Sequence, residues 1–574
     1  MIICDYLDEN VKNYLNDNTL NRTILTFFKE PFGSYRGSKV IFIDDVLDEG
    51  DYKGIDIFVN KIMKDTEEIF SKYLKIDGYR LFDYLQMQAK RNLSKMYKYK
   101  YFVDKLAKGK KKNNVYYFSS ELELLEWLKQ ERKIENMINC QIKDEGKGKL
   151  KYKFIIKKYL KNSFFANYIF DRIIIIIKLF KDYKNKSENI LWMGGRSYDS
   201  KLIDELEKNN KIFLLSQSSD DILNFKKREY KFNLLKLKNQ KKFNKEWDYL
   251  QSQYEDGLNK IALKTGINKK ILEIILKINK GMIKDLFLTL IVLEDNKHNI
   301  DLLIVEQSVI GKQALAVDFF NKNKIPSIEV LHGVPCVVEV GKTDKIAVYG
   351  ERDKSFLSNH GVDESKIKIT GCPYYDRVFK IKNNEKKYDF LLLILSWISF
   401  VPSSRSYKEI FIQTTYMLKL MKHFQNEKLI IKLHPGQSIK EMEYIHHLIE
   451  NITDIKNRVK VVKNVDLFML LKDAKIVYNR CSSVGVEALL MKKPLIVLDF
   501  FSRCPINYGK YGGCLVAKNY EELILATEEI LKDVHNYLKK NSENIKRTRR
   551  YFSGDLKGGS YKKVVEEINQ MIDK

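Results

Sequence analysis

Two stretches of this chain set side chains at spacings that suit work on a phosphate. KLIIKLHPGQ, residues 428–437, runs through apolar residues to His434 and stops on Pro435. The apolar run predicts a buried strand, and proline, with no N–H to donate, ends its ladder. In an open parallel sheet ligands lie beyond the carboxyl ends of the strands, which is where such a strand delivers an imidazole. YNRCSSVGVEALLMKKPLIVLDF, residues 478–500, reads as strand, turn, short amphipathic helix and strand. Ser482 and Ser483 fall at the helix N-cap, where two hydroxyls and unpaired amide groups suit an anion. Glu487, about one turn further, has the reach to accept both hydroxyls of a ribose. Separately these are a loop histidine, two caps and a solvated carboxylate; together they favour a nucleotide site.

Holding them in place takes parallel sheet. From Asn189 the sequence alternates strand and helix patterns, NILWMGG, KLIDELEKNN and KIFLLSQS, then DLLIVEQ, GKQALAVDFFNKNK and IPSIEVLHG. A second set of strand patterns follows in DKIAVYG, KIKITG, DFLLLILS, KLIIKLHP, RVKVVKN, AKIVYN and PLIVLDF. The fold class expected is α/β, two Rossmann-like doubly wound parallel-sheet domains facing a cleft, with an N-terminal α/β extension. The divisions expected are a lead-in over 1–188, with strand signals in KVIFIDD and NVYYFSS; a first domain over 189–338, with a Lys-rich helical insertion at 246–281; a second domain over 339–535; and a helical segment over 536–574.

Other candidates stand at predicted strand ends. DLLIV delivers Glu306 to the cleft side of the first sheet, and DFLLLIL delivers Ser396 to that of the second. Gly194 and Gly195 follow another strand, where a turn without side chains lets backbone approach a ligand, with Arg196 beside them to meet an anion. His332 and Gly333 end the first domain's last strand, at a hinge or against substrate.

Composition narrows the class. With 574 residues, 44% hydrophobic and 12% aromatic, the chain has material for several packed domains. The net charge of +27 comes from lysine spread through every segment, with no aromatic platform or zinc-finger pattern, so nucleic acid is not expected as a partner. Contact with anionic lipid headgroups is a use open to such a surface. Seven cysteines without a CxxC pair suggest free thiols in a reducing compartment. The acidic start MIICDYLDEN is unlike a secretory signal, and the apolar stretch FFANYIFDRIIIIIKLF is interrupted by Asp171 and Arg172, so a cytoplasmic protein is expected. His446 and His447 have no partner at ligand spacing, and no metal is assigned.

The pairing of KLHPGQ with CSSVGVEALL resembles the HP and SS motifs of GT-B-fold bacterial sialyltransferases and polysialyltransferases, capsule Kdo transferases and CDP-glycerol glycerophosphotransferases. The stretch from EVLHGVP through DKIAVYGE to KIKITGCPYYD is similar to the interdomain segment of such enzymes, and the likeness runs over about residues 301–531. It implies a metal-independent glycosyltransferase of surface-polysaccharide synthesis; a cytoplasmic place is expected for it, with the inner face of the cell membrane left open by the basic surface. The substrate would be a nucleotide-sugar, with no further cofactor, and the acceptor a glycan, lipid-linked or free. His434 would contact or protonate the leaving phosphate, Ser482 and Ser483 would hold it, and Glu487 would take the ribose. A CMP-sugar such as sialic acid or Kdo is favoured, with UDP- and GDP-sugars open. The sialyltransferases carry an acidic pair before glycine as the base; the literal match is Asp48 and Glu49 before Gly50, and Glu306 is its rival. Other readings are a CDP-glycerol-type transferase, a UDP-sugar 2-epimerase-like enzyme and a non-catalytic scaffold of a capsule assembly complex.

Overall fold

A computed structural model of the chain describes residues 2–4, 23–26, 39–42, 49–107, 116–119, 136–139, 176–179, 188–193, 200–215, 232–234 and 240–573. The last span excludes 277, 310, 332, 336–341, 381–387, 396–405, 436, 438–441, 443–444, 447, 450–452, 501, 503, 505 and 555–556.

The N-terminal strands β1 (Ile2–Cys4), β2 (Thr23–Thr26), β3 (Lys39–Phe42), β6 (Tyr116–Ser119) and β7 (Asn136–Asn139) pair in the order β3-β2-β1-β6-β7. Every pairing is parallel. A two-stranded hairpin, β4 (Lys75–Ile76) with β5 (Tyr79–Arg80), lies outside it. The lead-in is therefore a parallel sheet of its own, and both strand signals read in it are real strands. Its helices Glu49–Tyr73 and Gln86–Ala107 pack on Gln240–Thr265 and Lys269–Leu276, the helices of the Lys-rich insertion. Phe70 stacks on Tyr254 with ring centroids 5.9 Å apart, and Asn92 Nδ2 donates to the carbonyls of Ile274 and Ile275. The insertion is the partner that buries the apolar faces of the lead-in helices.

The second sheet runs β11-β8-β10-β9-β12-β13-β14-β15. Its parallel body is β9 (Glu188–Met193), β10 (Asn210–Leu215), β12 (Leu302–Val305), β13 (Ser327–Val330), β14 (Lys345–Val348) and β15 (Ile367–Ile369). Strands β8 (Ile176–Leu179) and β11 (Phe232–Leu234) close one edge, β8 antiparallel to both neighbours. This corrects both expected boundaries of the first domain. The isoleucine run before residue 188 supplies β8, and β14 and β15, expected in the second domain, extend this second sheet, with the segment Pro373–Lys380 following them. A side chain fixes that allegiance: Asp344 Oδ2 accepts the Ser327 N–H at 2.8 Å and its hydroxyl at 3.1 Å, tying β14 to β13 at its first residue.

The third sheet holds β16 (Phe390–Ile394), β17 (Leu429–Lys432), β18 (Val459–Val462), β19 (Ala474–Asn479), β20 (Leu495–Leu498) and β21 (Leu515–Ala517), in the order β18-β17-β16-β19-β20-β21. Numbered within the sheet this is 3-2-1-4-5-6, all parallel, and the direction of winding reverses between β16 and β19. The segment expected as a C-terminal unit is divided. Helix Ser542–Ser553 packs on helices Glu351–Ser358 and Val484–Leu490, whereas Ser560–Ile572 crosses back to the second sheet and packs on Ser200–Asn209. Asp376 receives the N–H groups of Ser560 and Tyr561 at 3.1 and 3.2 Å, and Lys345 pairs with Glu567 at 2.5 Å.

Where helix Ser542–Ser553 meets the second sheet the spacing is minimal. A Cβ on Gly350 would lie 2.6 Å from the Tyr551 carbonyl oxygen and 2.7 Å from the Phe552 carbonyl carbon. Backbone cannot yield as a side chain can, so Gly350→Ala should cost about 1–3 kcal/mol. Gly54, with nothing within 4 Å of its Cβ position in a helix interior, should be neutral or gain about 0.5–1 kcal/mol as alanine. Denaturant unfolding of the two variants checks this, and equal stability would contradict the packing described.

Candidate functional site

Open parallel sheets bind ligands at the carboxyl edge where winding reverses, because the loops on either side diverge there. In the third sheet that point lies between the ends of β16 and β19. After β16 comes Leu395, and Ser396 falls outside the described residues. After β19 come Arg480, Cys481, Ser482 and Ser483, and His434 stands just beyond β17, on the other side of β16. The histidine and the serines therefore share one sheet edge with a single strand between them, about 10 Å from strand axis to strand axis.

The turn bearing His434 is closed by Gln437. Its Oε1 accepts the His434 N–H at 2.5 Å, its own N–H donates to the His434 carbonyl at 3.0 Å, and Lys463 Nζ donates to the Gln437 carbonyl at 2.6 Å. The buried Lys432 turns its Nζ to the Leu433 carbonyl at 2.7 Å. His434 is half-buried; desolvation first, then the charges of Lys432 and Lys463, hold its pKa below the usual 6.5. At neutral pH the ring is neutral, with one N–H to donate. Pro435 is exposed where the chain turns away.

The serine turn is held by neighbours rather than by its own hydroxyls. The buried Asn479 donates from Nδ2 to the Ser482 carbonyl at 2.8 Å and accepts the Ser482 N–H at 3.1 Å; Tyr508 Oη donates to the same carbonyl at 2.7 Å. Gly485 is needed beneath them, since a Cβ there would sit 2.7 Å from both Asn479 Nδ2 and Tyr508 Cζ. Ser483 occupies the N-cap yet makes no side-chain cap bond, and Ser482 Oγ accepts the Val484 N–H only at 3.4 Å. The plain reading of the pair as helix caps thus fails for Ser483 and is weak for Ser482. Arg480 forms a two-point ion pair with Glu409, at 2.7 and 3.0 Å, joining this turn to the crossover helix Ser406–His423.

Glu487 departs from the solvated carboxylate of its plain reading. It is 4% exposed, and burial pushes its pKa up to about 8, so the carboxyl is largely protonated at neutral pH. Its charge is felt by Tyr375, Tyr374 and Cys372, which places it against the segment that links the second and third sheets. Glu487 Oε2 has no hydrogen-bond partner among the described residues, and neither have Gln437 Nε2 and Arg480 Nε. Two of these atoms, on Gln437 and Arg480, belong to residues that follow β17 and β19 at the carboxyl edge, and the third is on the helix that follows the serine turn.

The second sheet also reverses its winding, between β9 and β12, whose last residues Met193 and Val305 are register partners. Glu306 follows β12 there and is 6% exposed. The turn after it is pinned: Gln313 Oε1 accepts the N–H groups of Glu306 and Gln307 at 2.7 and 2.8 Å, and the buried Glu329 accepts the Ser308 hydroxyl at 2.5 Å. Gly194, Gly195 and Arg196, which follow β9, and His332 lie outside the described residues. Around Gly333 the loop is anchored by Tyr349 Oη, which donates to the Leu331 carbonyl at 2.7 Å, and by Arg352, which donates to the Pro335 carbonyl. Asp48 is outside the described residues, and Glu49 opens the helix Glu49–Tyr73 of the N-terminal unit. Sequence reading passed over Asn479, Tyr508, Gln313 and Glu329; only Asn479, at a strand end before the serines, carried a local signal. Among the described residues no group of three or more His, Cys, Asp or Glu side chains could hold a metal ion, and no helix is long and apolar enough to cross a membrane.

Residues 409–500, from the helix bearing Glu409 through Ser482, Ser483 and Glu487, match the family model described as Capsule polysaccharide biosynthesis protein. A curated relative, the UDP-N-acetylglucosamine 2-epimerase of Methanocaldococcus jannaschii, is 25% identical over 216 residues, which is 34% of this chain and 57% of the relative. The solved structure of the M. jannaschii UDP-GlcNAc 2-epimerase with UDP-GlcNAc and UDP superposes with a TM-score of 0.45 at 17% identity, covering 67% of this chain and 100% of that one. A structure of the wall teichoic acid polymerase TagF, soaked with CDPG, gives 0.38 at 10% identity, covering 74% and 95%.

Burial of Glu487 makes a stability prediction. Its folded pKa of about 8 exceeds the ordinary 4.5, so its contribution is fully present below pH 4.5 and is lost as pH rises through 8. Glu487→Gln, which keeps the shape and removes the ionisation, should match the unliganded parent near pH 4.5 and exceed it at pH 7.5 by on the order of 2–4 kcal/mol. Denaturant melts at the two pH values measure this; a pH-independent difference would contradict the protonated, buried carboxyl.

Proposed function

We propose that the chain is a glycosyltransferase of surface-polysaccharide synthesis, moving a sugar from a nucleotide donor to a glycan acceptor. The observation that carries the reading is the reversal point of the third sheet, flanked by His434, Ser482 and Ser483, with buried atoms of Gln437 and Arg480 there that have no partner among the described residues. The family-model match over these residues supports it.

In this reading the nucleotide lies along the third sheet's edge, its phosphate against Ser482, Ser483, His434 and Ser396 and its ribose hydroxyls at Glu487. The acceptor lies at the second sheet's reversal point. An acceptor hydroxyl attacks the anomeric carbon while Glu306 takes its proton, and the carbon–oxygen bond to the phosphate breaks with its electron pair going to phosphate oxygen. Two hydroxyls and the ring N–H of His434 stabilise the charge that grows there. As that charge grows it raises the His434 pKa, so the imidazole becomes better able to hold a proton for the leaving group. Glu306 is preferred to Asp48 and Glu49 as base because it stands at the second sheet's own reversal point, whereas Glu49 heads a helix of the N-terminal unit. A CMP-sugar remains the favoured donor from the HP and SS motifs. A second reading, an enzyme acting on a UDP-sugar, has support from the likeness to the archaeal 2-epimerase.

Thermal melts with CMP, CDP, UDP and GDP test both. A ligand at about 100 times its Kd should stabilise the native protein by about 2.7 kcal/mol, and His434→Ala or Ser482→Ala should each abolish most of that gain. A rise with CMP supports the first reading and a rise confined to UDP the second. No rise with any nucleotide contradicts the enzyme reading.

A further inference from the structure

Gln437 does more than close a turn. Its side chain is 2% exposed and its two polar atoms are used unequally: Oε1 accepts the His434 N–H at 2.5 Å, while Nε2 is buried with no partner among the described residues. A buried amide with an unmade donor bond carries a cost of about 1–3 kcal/mol. Backbone and lysine contacts hold the residue on both sides, through its N–H to the His434 carbonyl and through Lys463 Nζ to its own carbonyl. Lys432 and Lys463 stand close enough to depress the His434 pKa, so an anion at this edge would meet two ammonium groups as well as the amide. The residue that carries the unused donor thus has the Lys463 ammonium at its own carbonyl and lies three residues from the imidazole.

We propose that Gln437 is a phosphate-binding residue of the nucleotide crevice, its Nε2 donating to a phosphate oxygen while its Oε1 fixes the backbone that carries His434. The inference rests on the nucleotide reading above and assigns that site a donor it did not include. It explains why a buried amide stands at this position: a glutamine can accept from the turn and donate to the ligand at once, and no shorter or singly functional side chain does both.

Two variants isolate the donor. Gln437→Glu keeps an acceptor for the His434 N–H and adds a charge; Gln437→Met is neutral and of similar length but has neither group. The loss of Nε2 is all they share. Calorimetric titration with whichever of CMP, CDP, UDP or GDP stabilises the parent, and with the matching nucleoside, reads the effect on purified full-length protein. Both variants should bind the nucleotide about tenfold or more weakly, and both should bind the nucleoside within about twofold of the parent. Weakening by Glu alone would mean simple charge repulsion and overturn the proposal, as would weakening by Met alone, which would trace to the lost turn contact. Nucleoside affinity falling as far as nucleotide affinity would also overturn it, because the contact would not be to phosphate. Absence of nucleotide binding by the parent itself would instead sink the nucleotide reading, and this inference with it.

Discussion

The site depends on one topological constraint, the reversal of winding between β16 and β19. With the strands in the order 3-2-1-4-5-6, β16 is followed by a strand on one side of it and β19 by a strand on the other. Such a reversal point is where an open parallel sheet forms its ligand crevice. Fully buried strands such as Leu391–Leu393 and Ile476–Tyr478 make that edge rigid, and the loops inherit its precision. The fixed points are short polar links from strand ends, Asn479 and Tyr508 to the Ser482 backbone and Gln437 to the His434 backbone. These links are made to main chain at His434 and Ser482.

This arrangement has a cost, written in buried polar atoms that have no partner among the described residues. The carboxyl of Glu487, the Gln437 amide and the Arg480 Nε each bury a polar atom that no described residue pairs, and each is less stable than it would be if paired. In the function proposed above, a ligand bearing phosphate and hydroxyl groups supplies what they lack. The second sheet handles its own edge in the same way, with Gln313 and Glu329 fixing the turn that follows Glu306.

What the sequence disclosed follows from the range of the interactions involved. The strand ending at His434, the Ser-Ser turn and the alternation of strand and helix are local patterns, and the three sheets contain them as read. Allegiance of strands to sheets was not legible. KIAV and IKI look alike whichever sheet they join, and the choice is made by Asp344 reaching Ser327, seventeen residues away. The lead-in looked like an adjunct because its apolar helix faces find their partner across about 190 residues, in helix Gln240–Thr265. Glu487 was placed correctly on the helix, but its burial depends on packing from distant segments, among them residues 372–375, which arrive from the other sheet.

The most direct test of the central claim is the titration of His434 itself. Histidine-labelled protein, with the His434 signal among eight histidines assigned by comparison with His434→Gln, can be followed by NMR across pH 5 to 8, with and without the stabilising nucleotide. A ring at the phosphate site should titrate below 6.5 in the free protein and move upward when the nucleotide is bound, with net proton uptake between those two values. A titration point that saturating nucleotide leaves unchanged would place the phosphate elsewhere and contradict the account.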